Sequence, residues 1–279
     1  MTPVVSAVQT AWRDPRGRVG ALLLLVIAIA AVWGPWFLPD PLAQPDILGG
    51  SLPPGIGHPF GTDQLSRDVL ARVVSGARIS LGVALLAVAL SMTIGAAVGM
   101  ISGYWGGIVD AGLMRLVDGA LAIPRLFIIL LVLAVWERVP MAALVLLIGA
   151  TGWFATSRLV RGEVLRLREE SYVRAAEALG VSRRRIIFRH LLPNAIGPIL
   201  VAATLGVGDV ILLEAGLSFL GLGIQPPTPS WGGMILDAKE VLVSAPWAGI
   251  FPGLAIVITV LSANLFGDAL RDAIDPRSA

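Results

Sequence analysis

Few side chains in this 279-residue sequence could do chemistry, and their types exclude more than they allow. There is no cysteine, so there is neither a disulfide framework nor a thiolate metal site. The single lysine, Lys239, stands in Asp237-Ala238-Lys239-Glu240. A phosphate-binding loop needs a glycine-rich turn ending Gly-Lys-Ser/Thr, so ATP is not bound here in that way. The two histidines, His58 and His190, fall in polar segments on opposite sides of the intervening apolar runs and cannot share a metal. No catalytic pair is evident. Three ionisable residues interrupt apolar runs: Arg125, Asp209 and Glu214. An ionisable side chain at mid-bilayer costs about 2.5–3.5 kcal/mol on insertion scales, so it faces a partner group or a watery path. Asp209 and Glu214 are five residues apart, about 140° around a helix, and do not easily face one cavity. Arg125 has three readings: a path-lining cation, a structural partner of Asp209, or a side chain snorkelling to the cytoplasm.

The other informative group is a charged island at 171–194, SYVRAAEALGVSRRRIIFRHLLPN. Nine arginines (158, 161, 166, 168, 174, 183, 184, 185 and 189) fall in it or just before it, which fixes this loop in the cytoplasm. The spacing predicts two short helices. Tyr172, Ala175, Ala176 and Leu179 share one face, with Arg174 and Glu177 beside them. Gly180 ends the first helix in a left-handed cap, Ser182 caps the next, and Pro193 suits a bend on re-entering the membrane. Small residues on that face let a partner's surface approach closely. The competing reading is an amphipathic helix lying on lipid headgroups.

The elements that must position these groups are transmembrane helices. The chain is 56% hydrophobic and 14% charged, with mean hydropathy +0.82; a soluble domain would carry about 25% charged residues. The isoelectric point near 9.6 reflects loop arginines and calls for no nucleic acid. Six spans are expected at 19–38, 79–101, 116–136, 140–157, 196–219 and 247–266, each near the ~20 residues that cross ~30 Å of hydrocarbon. They sit between a cytoplasmic segment 1–18 and a cytoplasmic tail 269–279, with the charged loop at 158–195. The arginine asymmetry puts both termini inside. A cleaved signal peptide ending at Ala28-Ile29-Ala30 is the rival for the first span, but the apolar run continues through Trp33, Trp36 and Phe37, so an uncleaved helix with tryptophans at the outer interface is expected. Pro124 should bend the third span beside Arg125. Arg138 bounds the fourth. Gly95, Gly99 and Gly103 form a small-xxx-small stripe for close helix packing. Outside, Ser66 is expected to cap a short helix whose Val69, Leu70, Val73 and Val74 lie on the membrane surface.

Several stretches together resemble one family. Ala175, Ala176, Gly180, Leu192 and Pro193 fall in register with the "EAA" loop of bacterial ABC importer permeases; Arg174 replaces the usual acidic residue and His190 the usual isoleucine. HPFGTDQLSRD, residues 58–68, is similar to the HPLGTDxxGRD signature of the dipeptide, oligopeptide and nickel permeases, with Phe60 and Ser66 departing from it. EAGLSFLG (214–221) and NLFGDALRDAIDPR (264–277) match the same family in order, most closely its C-type subunit.

The resemblance implies an all-α integral membrane protein of six transmembrane helices with the type I ABC importer permease fold. It implies a B-type permease partner, two ATPase domains or subunits, an extracytoplasmic substrate-binding protein, and surrounding lipid of the bacterial inner membrane. ATP and Mg would be bound by the ATPase partners, with no cofactor in this chain and no enzymatic activity of its own. It implies ATPase docking at Tyr172, Arg174, Ala175, Ala176, Glu177, Leu179 and Gly180. The expected cargo is peptide, with nickel or another small solute as the alternative within the family. A secondary transporter is the alternative from another class, but it would need no docking loop and usually shows repeats or broken helices around paired acids.

Overall fold

The computed structural model describes residues 3–44, 50–136 and 139–274. Arg138 and Asp275, Pro276 and Arg277 of the C-terminal motif lie outside them. Among the described residues the chain is helical, with one isolated antiparallel bridge, Thr62 to Asp68. Eleven α-helices follow in order: α1 Pro3–Arg13, α2 Pro15–Trp33, α3 Val69–Trp105, α4 Gly107–Leu121, α5 Arg125–Leu133, α6 Met141–Arg168, α7 Ser171–Ala178, α8 Arg183–Ile186, α9 Leu192–Phe219, α10 Trp231–Ala238 and α11 Trp247–Ile274.

Five stretches are long and apolar enough to cross a membrane: Pro15–Trp36, Val69–Trp105, Met141–Arg168, Arg183–Phe219 and Trp247–Ile274. A sixth is the pair α4 and α5, bent by 75° at its break. The outer surface of the bundle is apolar: Val26, Ile29 and Val32 on α2, Leu85 and Leu86 on α3, and Leu131 on α5 are all exposed. An apolar surface of this extent suits hydrocarbon or the apolar face of another membrane helix.

α3 and α6 form the most intimate helix pair. A side chain on Gly95 would meet Thr156 at 2.6 Å, one on Gly99 the Ser157 carbonyl at 2.6 Å, and one on Gly103 Val164 at 2.9 Å. From the other side, a side chain on Gly149 would meet Leu90 at 2.7 Å. Backbone-to-backbone approach at four positions fixes the crossing, and Val83, Ala84, Ala87, Leu144 and Ile148 fill the core beside it.

The second span differs from expectation at its start. α3 is one helix of 37 residues, about 55 Å long, so it projects well beyond the ~30 Å hydrocarbon layer. Asp68 caps it, accepting from the Ala71 N–H at 2.8 Å. Ser66 instead sits at φ +55° and donates its hydroxyl to the Gly50 carbonyl, so it does not cap a separate surface helix. Val69 and Val73 pack inward against Met234, Ala238 and Ala248 rather than on the membrane surface. The third span breaks as Pro124 demands: this residue caps α5 instead of continuing α4. The helix after Ser182 runs into a π-helical turn at Ile187–Leu191, where the Leu192 N–H reaches back to the Ile187 carbonyl. Pro193 has no N–H to continue the ordinary ladder, so the chain gains a wide turn instead of a bend. Ser182 occupies the cap position without a side-chain bond.

Gly99→Leu should therefore separate α3 from α6 and lower the thermal midpoint of the purified protein by an amount corresponding to about 1–3 kcal/mol. Gly112→Ala, at a position with nothing within 4 Å, should leave it unchanged or slightly raised. Differential scanning of both variants in detergent checks this, and equal midpoints would refute the glycine contact.

Candidate functional sites at the two ends of the bundle

At the end of the bundle away from the charged loop, the segment 58–68 folds into a charged clasp. Asp63 accepts from the Leu65 and Arg67 N–H groups at 2.9 and 3.0 Å, which holds its carboxylate over the start of α3. Arg67 Nε donates to Asp63 at 2.7 Å, and Arg72, one turn into α3, donates to the same oxygen. Both arginines also donate to Asp237 of α10, at 3.2 and 2.9 Å. Two carboxylates and two guanidiniums thus form a neutral quartet, with all but Asp237 almost fully buried. His58 Nδ1 lies 2.8 Å from the cap residue Asp68. Gly61, at φ +72°, brings the loop onto Trp247, whose indole N–H donates to the Thr62 carbonyl at 2.9 Å; a side chain there would meet that indole at 2.6 Å. Phe60 stacks on Phe251 at 3.9 Å between ring centres. The clasp ties the segment before α3 to α10 and α11.

Glu214 belongs to this end as well. It is fully buried, and Ser80 of α3 and Ser218 donate to its carboxyl at 3.1 and 2.7 Å, with Ser230 as a further donor. Ser80 also accepts the Trp231 N–H, and Ser218 the Ile224 N–H. The carboxyl is a hub that locks the segment between α9 and α10 onto α3 and α9. It is fully buried and holds an interface between helices, the partner-facing alternative that the sequence left open beside a watery path.

Arg125 lies at the break of the third span. Its Nε donates to Thr151 Oγ1 at 3.1 Å and its Nη2 to the Ile148 carbonyl at 2.5 Å. Gly152 makes room for it; a side chain there would meet the guanidinium at 3.1 Å. Asp209 is close enough to act on this charge, yet the two form no ion pair within 4 Å. Asp209 is exposed, on a stripe with Leu212, Gly216 and Phe219 along α9. The direct pair considered from the sequence is therefore absent.

At the opposite end, α6 runs straight into the charged loop. Arg161 grips Asp110 of α4 with two bonds of 2.5 Å, and Arg158 pairs with Asp118. Arg168 stacks on the Tyr104 ring, 5.3 Å from its centre. Helix α7 follows. It closes in a Schellman motif: the Val181 N–H reaches the Ala176 carbonyl and the Gly180 N–H the Glu177 carbonyl, with Gly180 at φ +74°. Val173 packs into a core with Val160, Val164, Ile186 and Leu191, and Ala176 is also buried, at 8% exposure. Ala176, expected on the free face, is thus an anchor. The free face is Tyr172, Ala175, Leu179 (83% exposed) and Gly180, flanked by Arg174 and Glu177. Arg174 itself pairs with Glu169. Burial lifts the Tyr172 phenol above its ordinary pKa and Glu170 adds to this, so the ring stays neutral at physiological pH.

Sequence reasoning missed Arg72 and Asp237. No local signal could pair them, since 165 residues separate the two. Asp63→Ala should leave Arg67 and Arg72 buried with one carboxylate between them and cost about 3–5 kcal/mol. Glu169→Ala, which removes an exposed pair, should cost at most about 1 kcal/mol. Thermal midpoints, with hydrogen exchange at 58–68 and 231–238, distinguish the two.

Comparisons with known proteins place these features in a family. Residues 95–279 match the model of the binding-protein-dependent transport system inner membrane component. The chain is 40% identical to the dipeptide transport system permease protein DppC of Alkalihalophilus pseudofirmus, covering 93% of this chain and 85% of that one. It is 39% identical to the oligopeptide transport system permease protein OppC of Bacillus subtilis, covering 95% and 90%. The dipeptide permease DppC of the same organism is 38% identical over 99% and 87%.

Proposed function

Because the chain belongs to the family of binding-protein-dependent transport system inner membrane components, we propose that it is the C-type permease subunit of an ATP-driven importer of di- or oligopeptides. It forms half of the translocation path with a B-type permease. Two ATPase domains or subunits, which bind ATP and Mg, drive it, and an extracytoplasmic binding protein delivers the peptide. Both termini and the loop 158–195 lie in the cytoplasm of a bacterial inner membrane.

The observation that carries this reading is the construction of α7. The helix is held from beneath by Val173 and Ala176 and offers Tyr172, Ala175, Leu179 and Gly180 outward. An exposed leucine beside a small residue, on a short helix anchored to a span, fits a groove on a soluble partner. Movement of that partner on ATP binding is passed to α6 through the buried anchors, and the permease pair alternates between inward and outward openings.

Asp209 is the path-lining acid in this reading. An exposed carboxylate within a span does not face lipid; it faces water or the partner permease. Arg125 instead staples the break in the third span to α6 and does not reach for a substrate carboxylate.

Two experiments test these roles. Leu179→Asp and Ala175→Asp should weaken retention of the ATPase roughly tenfold or more, with the thermal midpoint kept, because both side chains are exposed. Ala176→Asp should lower the midpoint itself, since it buries a charge. Undiminished ATPase co-purification with Leu179→Asp would mean that the helix rests on lipid. In the second, Asp209→Asn should reduce uptake without loss of assembly, while Arg125→Ala should destabilise the protein and gain nothing from Asp209→Ala. Midpoints and uptake of both single variants and the double variant decide it; rescue by the double variant would establish a working ion pair.

A further inference from the structure

The side of the charged loop that α7 does not use carries a second feature. Arg184, Arg185 and Arg189, with Ser182, Phe188 and Pro193, line an open cavity of about 660 Å³. None of the three guanidiniums makes an ion pair or side-chain hydrogen bond among the described residues, although Arg158, Arg161, Arg166 and Arg174 of the same region are all paired with carboxylates. Phe188 stands 62% exposed among them.

The backbone explains how they gather. Ile186 and Leu191 point into the core, five residues apart. In an ordinary helix the residue four after Ile186, His190, would share that face. The π-helical turn adds the residue that turns Leu191 inward. Arg185 and Arg189 therefore stay on the open side, with Arg184 and Phe188 alongside. The cavity also sits at a particular depth. The apolar stretch Arg183–Phe219 begins here, and Pro193, already part of its helix, forms one wall. At 37 residues that stretch is about 55 Å long, more than the ~30 Å hydrocarbon layer, so its arginine-bearing first turns extend past the hydrocarbon toward the headgroups.

We infer that this cavity is a binding site for the phosphate of an anionic phospholipid headgroup. Three unpaired guanidiniums supply charge and forked donors for phosphate oxygens, and Phe188 supplies an apolar contact for the acyl boundary. The site anchors the mouth of the π-helical turn to the membrane on the same loop that offers α7 to the solution. It uses neither α7 nor the path, so it stands or falls separately from the docking reading; that reading sets only which leaflet it meets.

The test is lipid retention by the full-length protein in nanodiscs made of phosphatidylcholine with a minor fraction of phosphatidylglycerol. Bound lipid is counted by native mass spectrometry after mild delipidation. Wild type should retain phosphatidylglycerol in preference. Each guanidinium contributes roughly fivefold, so Arg184→Ala, Arg185→Ala and Arg189→Ala combined should lose the preference by at least about tenfold. The corresponding triple lysine variant should keep most of it, which separates loss of charge from loss of fold. Raised salt should weaken retention in wild type and not in the alanine variant. Equal retention by all three proteins would overturn the inference. So would complete displacement of phosphatidylglycerol by millimolar inorganic phosphate, which would make the ligand a soluble anion. Loss of ATPase co-purification with lipid retention unchanged in the alanine variant would overturn it too, by making the arginines a protein contact.

Discussion

The close approach of α3 and α6 is the constraint on which the rest depends. Hydrocarbon gives apolar helices no reason to associate through burial alone, so contact comes from backbones that meet where side chains are missing. Gly95, Gly99 and Gly103 supply that on α3, and Gly149 answers on α6. The N-terminal end of α3 carries Arg72 of the clasp, and α6 ends at the charged loop that carries α7. One packed pair therefore connects the two functional ends of the molecule. The contact between these helices is already at van der Waals limits.

The second constraint is that every polar group taken out of water needs partners. Among the described residues the buried charges meet it, although Gln64 Oε1, Arg72 Nε and Arg168 Nε keep no partner. Glu214 has three serine hydroxyls. Arg125 takes a helix carbonyl and a threonine. Asp63, Asp237, Arg67 and Arg72 neutralise one another. Each network joins elements distant in sequence, so each sets geometry as well as satisfying charge. Asp209 and the three arginines beyond α7 stand outside such networks, and for that reason they are the groups assigned to substrate and lipid.

Much of this was legible in the sequence. Hydropathy marked the apolar runs that the long helices carry, Pro124 the break, the four-residue glycine spacing the close contact, and Gly180 the cap of α7. Local ambiguity hid other features. Ser66 and Asp68 are both good cap residues, and the choice went to Asp68 because Ser66 adopts a positive φ and is used by the Gly50 carbonyl. α7 has eight residues, barely two turns, so periodicity alone could not tell Ala175 from Ala176. Non-local contacts hid the rest. The clasp motif was recognisable as a motif, but its purpose lies in Asp237, far along the chain, and the burial of Glu214 depends on serines from three separate segments.

The account turns on whether the bent pair α4–α5 crosses the membrane. If it does, three crossings separate the clasp from the charged loop and place them on opposite sides; if it dips in and returns, only two do, and both would face the same side. Single cysteines introduced into this cysteine-free chain decide between these cases. Gly57, with nothing within 4 Å, and Ser182, exposed before α8, are suitable positions. With a membrane-impermeant thiol reagent applied to intact cells, Gly57→Cys should label and Ser182→Cys should label only after the membrane is opened. Labelling of both from outside, or the reverse pattern, would contradict the topology and with it the cytoplasmic docking surface.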